Sequence, residues 1–190
     1  MNKSTITGYF MKRFLIILSD LLRICLLSLG KNKTIAYGNG LAKSNHILIL
    51  CSDKMDMTGT DMINQIYHLL AKKPLTVLQY TDEKKHKKPA DVKYVTMPRK
   101  TKKFIPLWHQ YDVLEKLGNR PFDTVVDLDP DFNLFHLCLF AHYIPSLRIG
   151  FRKARMNQAY NLLYNFSDAN KPGQKLTGLI RFLKNILSTQ

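Results

Sequence analysis

The residues from Pro121 to Phe151 constrain the fold more than any other stretch of the chain. Thr124 to Leu128, Thr-Val-Val-Asp-Leu, is a short β-branched run between turn residues, which is the pattern of a buried strand. Asp129-Pro130-Asp131 stops it and suits a helix start, because a carboxylate accepts orphan N–H bonds and proline fits the first turn. Phe132 to Ile144 is apolar almost all round, as expected of a helix packed deeply on a sheet. Pro145 ends that helix. Leu147-Arg148-Ile149 is a second short strand, turned off by Gly150. Strand, helix and strand in immediate succession predict parallel pairing with a right-handed crossover.

The flanking sequence repeats this alternation. Further strands are expected at 46–51, 75–80, 92–97 and 160–166, and helices at 60–70 and 104–117. Leu176, Leu179, Ile180, Leu183 and Leu187 have the spacing of a closing amphipathic helix, with Lys175, Arg181 and Lys184 on its wetter side. The expected fold is therefore an α/β three-layer sandwich with a mostly parallel sheet. A chain of 190 residues with 45% apolar content can bury one such core. Before it, residues 11–29 are apolar but interrupted by Arg13, Asp20 and Arg23. The apolar length is short for a bilayer span, and charges near its middle are costly there. The segment reads first as a helix on its own domain, next as one lying in a membrane interface, and last as an export signal. Gly30, Gly38 and Gly40, with Asn32 and Asn39, make 30–44 a loop or linker. The expected division is an N-terminal helix and linker over 1–44 and a single α/β domain over 45–190.

Lysine plus arginine number 29 against 14 acidic residues, a formal charge of +15. This excess favours anionic partners: nucleic acid, anionic lipid headgroups or phosphorylated ligands. Nucleic acid is the less favoured, because the basic loops 84–88 and 99–103 carry no RNA- or DNA-reading signature. Cys25, Cys51 and Cys138 lie far apart in apolar segments, as reduced cytoplasmic thiols do. No Cys/His spacing suggests a metal site, and the six histidines are scattered. His136 and His142 are six apart, on different faces of the central helix, and read as core or surface residues.

In open parallel sheets ligands bind beyond the carboxyl ends of the strands. The residues there are Asp53 and Asp56 after the first strand, and Asp82 and Glu83 after the second. Asp129 and Asp131 follow the organising strand, and Arg152 and Lys153 the next. A carboxylate of the first group can serve as a general base. Thr60 or Asp61 equally suits the cap of the following helix. No GxGxxG or GxxxxGK[ST] loop follows any strand, so neither a nicotinamide nor a P-loop nucleotide cofactor is expected. No GxSxG elbow occurs either.

Phe122-Asp-Thr-Val-Val-Asp-Leu128, a helix, then Leu147-Arg-Ile-Gly-Phe151 resembles the amino-terminal, acceptor domain of the heptosyltransferase family of lipopolysaccharide glycosyltransferases. His46 to Leu50 followed by Asp56 and Thr60 is similar to that family's first strand and its Gly-Asp…Thr loop. The resemblance spans roughly 46–151. It implies a Rossmann-like domain, half of a GT-B-type transferase, with Asp56 as the base that deprotonates the sugar acceptor. With Thr60 of that loop, the strand-end residues Asp53, Asp129, Asp131, Arg152 and Lys153 are the expected ligand contacts. Asp129-Pro130 stands where the family has Gln-Gly, and Met55 where it has Gly. The family's nucleotide-sugar-binding half has no counterpart in these 190 residues. The expectation is thus a stand-alone domain that is not a transferase by itself and binds a glycolipid, phosphosugar or partner protein. Alternatively it is the acceptor subunit of a split enzyme completed by a second protein chain. The chain also looks like a small family of single-domain bacterial proteins. The expected location is the cytoplasm, with peripheral contact at the inner membrane through residues 11–29.

Overall fold

The computed structural model describes residues 37–51, 58–70, 73–80, 92–97, 107–131, 133–152, 157–165 and 172–188, together with 14, 15, 18, 19 and 22. Its elements are α1 (Tyr37–Lys43), β1 (Ile47–Leu50), α2 (Thr58–Leu69), β2 (Leu75–Tyr80), β3 (Val92–Met97) and α3 (Leu107–Leu117). They continue with β4 (Thr124–Asp127), α4 (Leu134–Tyr143), β5 (Leu147–Phe151), a 3-10 turn (Asn157–Ala159), β6 (Leu162–Tyr164) and α5 (Pro172–Ser188).

The described strands form one six-stranded sheet in the order β3-β2-β1-β4-β5-β6. Every pairing in it is parallel. Parallel strands need both faces covered, which is why β1 and β4 read as unbroken buried runs. The pleat sorts their side chains. Leu48, Leu50, Leu78, Val95 and Val125 face one core with α3 and α4. Ile47, Ile49, Val77, Val126 and Ile149 face the other with α1, α2 and α5. Val125 and Val126 are fully buried in mid-sheet, between β1 and β5. The result is the three-layer, Rossmann-like α/β sandwich expected from the alternation of strands and helices.

The order reverses between β1 and β4, neighbours in space but separated in sequence by two strands and two helices. Their amino ends are locked together. The Asp123 Oδ2 accepts from the Asn45 N–H at 2.8 Å and the His46 N–H at 3.1 Å. Ser44 and Thr124 hydroxyls meet at 2.5 Å in the buried interior. Lys73 donates to the carbonyls of Leu41, Ala42 and Ser44.

Those lysine bonds explain one correction. Residues 37–43 form a helix where glycine and asparagine predict a linker. Glycine disfavours an isolated helix by about 1 kcal/mol per residue. Here tertiary contacts override that preference. Leu41 is fully buried, α1 packs against α5 and β5, and Lys73 satisfies carbonyls at the helix's carboxyl end. The domain core therefore reaches back at least to α1.

At the far side, α4 ends on Ile144, an exposed β-branched residue held in the left-handed region at φ 47° and ψ 54°. Its N–H still bonds the Phe140 carbonyl at 2.9 Å. Buried Arg148 grips this corner, donating from Nη1 to the Pro145 carbonyl at 3.2 Å and from Nε to the Ala159 carbonyl at 2.6 Å. Left-handed backbone costs an L-residue roughly 1–2 kcal/mol and glycine almost nothing. Ile144→Gly is expected to raise stability by about 1 kcal/mol, read as a higher urea midpoint at unchanged slope.

Candidate functional site

A carboxylate at the end of a fully buried strand needs donors, and the carboxyl end of β4 supplies them from three elements. Asp127, the last residue of β4, lies on the same face as Val125 and is fully buried. Its Oδ1 accepts the Asp129 N–H at 2.9 Å and stands 3.0 Å from His136 Nδ1. The Tyr160 hydroxyl donates to Oδ2 at 2.6 Å. Tyr160 reaches across because its neighbour in space is Gly150, which pairs with Asp127 in the β4–β5 register. A Cβ at position 150 would stand 2.5 Å from the Tyr160 ring. The Gly in Arg-Ile-Gly-Phe is therefore the gap that admits a tyrosine to a buried carboxylate.

The network continues into the β4–α4 junction. Asp129 is buried, with Oδ1 accepting from the Asp131 N–H at 3.1 Å and Oδ2 from Asn133 Nδ2 at 3.3 Å. Asn133 caps α4, its Oδ1 accepting the Phe135 N–H at 3.1 Å. Asn133 Nδ2 also donates to the Tyr80 hydroxyl at 3.3 Å, which lies 3.4 Å from His136 Nε2. The bonds close a ring when His136 donates from Nδ1 to Asp127 and accepts at Nε2 from Tyr80. Asp127, Asp129 and Asn133 each bond the backbone N–H two residues on, so the turn descends as a staircase of side-chain-closed steps.

This corrects the expected cap. Asn133 caps α4, and the carboxylates of Asp127 and Asp129 fix the turn before it instead. The available signal is the alternation Asp127, Asp129, Asp131, Asn133, four short polar side chains two residues apart, with His136 one helical turn on.

Burial sets the protonation behaviour here. The Cys51 thiol, just beyond β1, is pushed up to about 12 by burial and then by the nearby charges of Asp127 and Asp129. It is no nucleophile at neutral pH. The Tyr160 hydroxyl is raised well above the usual tyrosine range, first by burial and then by Asp127 and Asp129. Neither group is poised for proton transfer to a ligand. The network instead ties the β4–α4 turn, α4 and Tyr160 to one carboxylate.

Of the sequence candidates, Asp131 and Arg152 are exposed at this rim, whereas Asp129 turns inward. Arg152 follows β5, its N–H bonded to the Tyr164 carbonyl at 2.9 Å. Asp53, Asp56, Asp82, Glu83 and Lys153 lie outside the described residues, as do the side chains of Thr60 and Asp61. The chain enters the Asp53–Asp56 segment from Cys51, which bonds the Leu78 carbonyl at 2.9 Å on the same edge as Asp129. His142 lies apart from His136, stacked edge-on against Tyr143 at 4.9 Å. Among the described residues no group of three metal-ligating side chains converges.

Removing the Tyr160 hydroxyl leaves a buried carboxylate short of one charge-assisted bond. Tyr160→Phe is expected to lower stability by about 2 kcal/mol at neutral pH in urea denaturation. The raised groups also set an alkaline limit. Each stays protonated in the folded state at pH values where the unfolded chain ionises, so stability falls as pH rises. The fall should begin near the thiol's ordinary 9.0 and steepen above the tyrosine's 10.0. Tyr160→Phe should flatten the steeper part.

No protein-family model matches the chain, and no curated protein matches it.

Proposed function

We propose that this chain is a glycosyltransferase-like, acceptor-type domain that binds a phosphorylated sugar or the anionic headgroup of a glycolipid over the carboxyl ends of β1 and β4. The observation that carries this reading is the reversal of strand order between β1 and β4, where a doubly wound sheet opens a crevice. The buried Asp127–His136–Tyr160 network supports it by fixing the turn that walls the crevice. A preorganised rim spares a ligand the ordering of its own site. Arg152 on the rim and a net charge of +15 favour an anionic group over a neutral one. The strand–helix–strand unit with its Asp-Leu and Arg-Ile-Gly-Phe segments supports the heptosyltransferase-like acceptor reading.

A second reading rests on the same edge. Asp56 follows β1 by a few residues, at the strand–helix junction where an acceptor base would act. In that case the domain works as the acceptor subunit of a split cell-envelope transferase, completed by a donor-binding chain. Reconstituted transfer that survives Asp56→Asn removes this second reading and leaves binding by the first intact.

Sugar phosphates should bind more tightly than the same sugars without phosphate, with amide NMR shifts gathered at Leu128, Asp129, Asp131, Asn133 and Arg152. Arg152→Ala should weaken phosphosugar binding by about 10-fold, the worth of one charge-assisted contact. Equal binding of the neutral sugar, or shifts gathered around Asn45 and Asp123 at the opposite edge, would overturn the assignment.

A further inference from the structure

Six large hydrophobic side chains are strongly exposed among the described residues, and four of them lie close together in the sequence. Phe14 is 60% exposed, Leu15 58%, Leu18 45% and Leu22 59%. All four are helical. At about 100° per residue they fall within an arc of roughly 100°, so they form one stripe. The other two, Leu134 and Ile144, stand alone at the two ends of α4, as isolated surface apolar residues commonly do. A contiguous stripe needs a partner.

We infer that this stripe docks the protein onto an anionic bilayer surface. Three observations select that occupant. Lys12, Arg13 and Arg23 flank the four residues in the sequence, and Lys31 and Lys33 follow, so apolar and basic character are adjacent. That pairing is what an interfacial helix needs, since apolar insertion and headgroup attraction are each weak alone. The chain as a whole carries +15, which draws it to an anionic surface and opposes pairing with a second copy of itself. Finally, Arg13, Asp20 and Arg23 interrupt the apolar run, which makes a bilayer span costly, so the stripe lies on the surface. Phe14 and the three leucines insert between acyl chains, while the lysines and arginines remain among the headgroups.

The test is flotation of the full chain with two vesicle compositions, phosphatidylcholine alone and phosphatidylcholine with phosphatidylglycerol. Neither contains sugar, so the result is independent of the crevice proposed above. The protein should float with the anionic vesicles, far less with the neutral ones, and release as salt is raised. Leu18→Glu with Leu22→Glu should weaken anionic-vesicle binding on the order of 100-fold, the loss of two inserted leucines. Both side chains are exposed, so the thermal midpoint should hold. Should the double variant unfold, Phe14→Trp gives an independent reading, with indole emission shifting to the blue on anionic vesicles alone. No flotation, equal flotation of a folded double variant, or an indole spectrum from Phe14→Trp that does not shift overturns the proposal. So does a dimer in solution that the double variant dissolves, because the stripe would then belong to a second copy.

Discussion

The carboxyl half of this fold depends on one buried carboxylate. Asp127 ends a strand whose neighbours are covered on both faces, so its charge has no access to water. Ionised carboxylates survive such sites only when donors surround them. The donors come from the strand's own turn, from α4 and from Tyr160, two residues before β6. Each has a geometric condition attached. The turn must fold back through Asp129, α4 must present His136 inward from its first turn, and β5 must carry glycine at 150. A hydrophobic residue at 127 would remove the need for all three. The polar solution ties three successive elements to one point and gives the crevice edge a single shape.

The two edges of the sheet use polar chemistry differently. At the amino edge, Asp123, Ser44, Thr124 and Lys73 bond backbone and hydroxyl groups and close the structure. Arg148 plays the same closing role at the α4–β5 corner through carbonyl oxygens. Burial lowers its affinity for the proton. At the carboxyl edge the ionisable groups form a ring one layer below the surface, and Asp131 and Arg152 stand above it. Fixed interior and exposed rim together make a surface suited to holding a ligand in one orientation.

Much of this is legible from periodicity alone. β2 and β3 begin and end where the apolar runs do, because the sequence around them is polar and lysine-rich. The all-round apolar helix at 134–143 is as deeply buried as its composition implies. Two features escape that reading for one physical reason: both depend on residues distant in sequence. α1 has glycine at 38 and 40 and helical shape only through Leu41 burial and Lys73, about thirty residues on. Asp127 looks like the polar end of a strand until Tyr160 arrives from 33 residues away. The apolar pattern also places a strand start at Tyr160, and the strand starts instead at Leu162. Local patterns carry propensity and burial. They do not carry which distant side chain completes a charge.

The docking of α1 bears on how the chain assembles as it is made. Its contacts run to α5 and β5, and its last carbonyls wait on Lys73. During synthesis residues 37–43 therefore leave the ribosome with no surface to rest on. They remain an unformed, glycine-bearing tail until residues 172–188 have emerged and the central strands have paired. An early segment to appear is among the last to settle, and a nascent chain halted before α5 would present an open flank to chaperones and proteases.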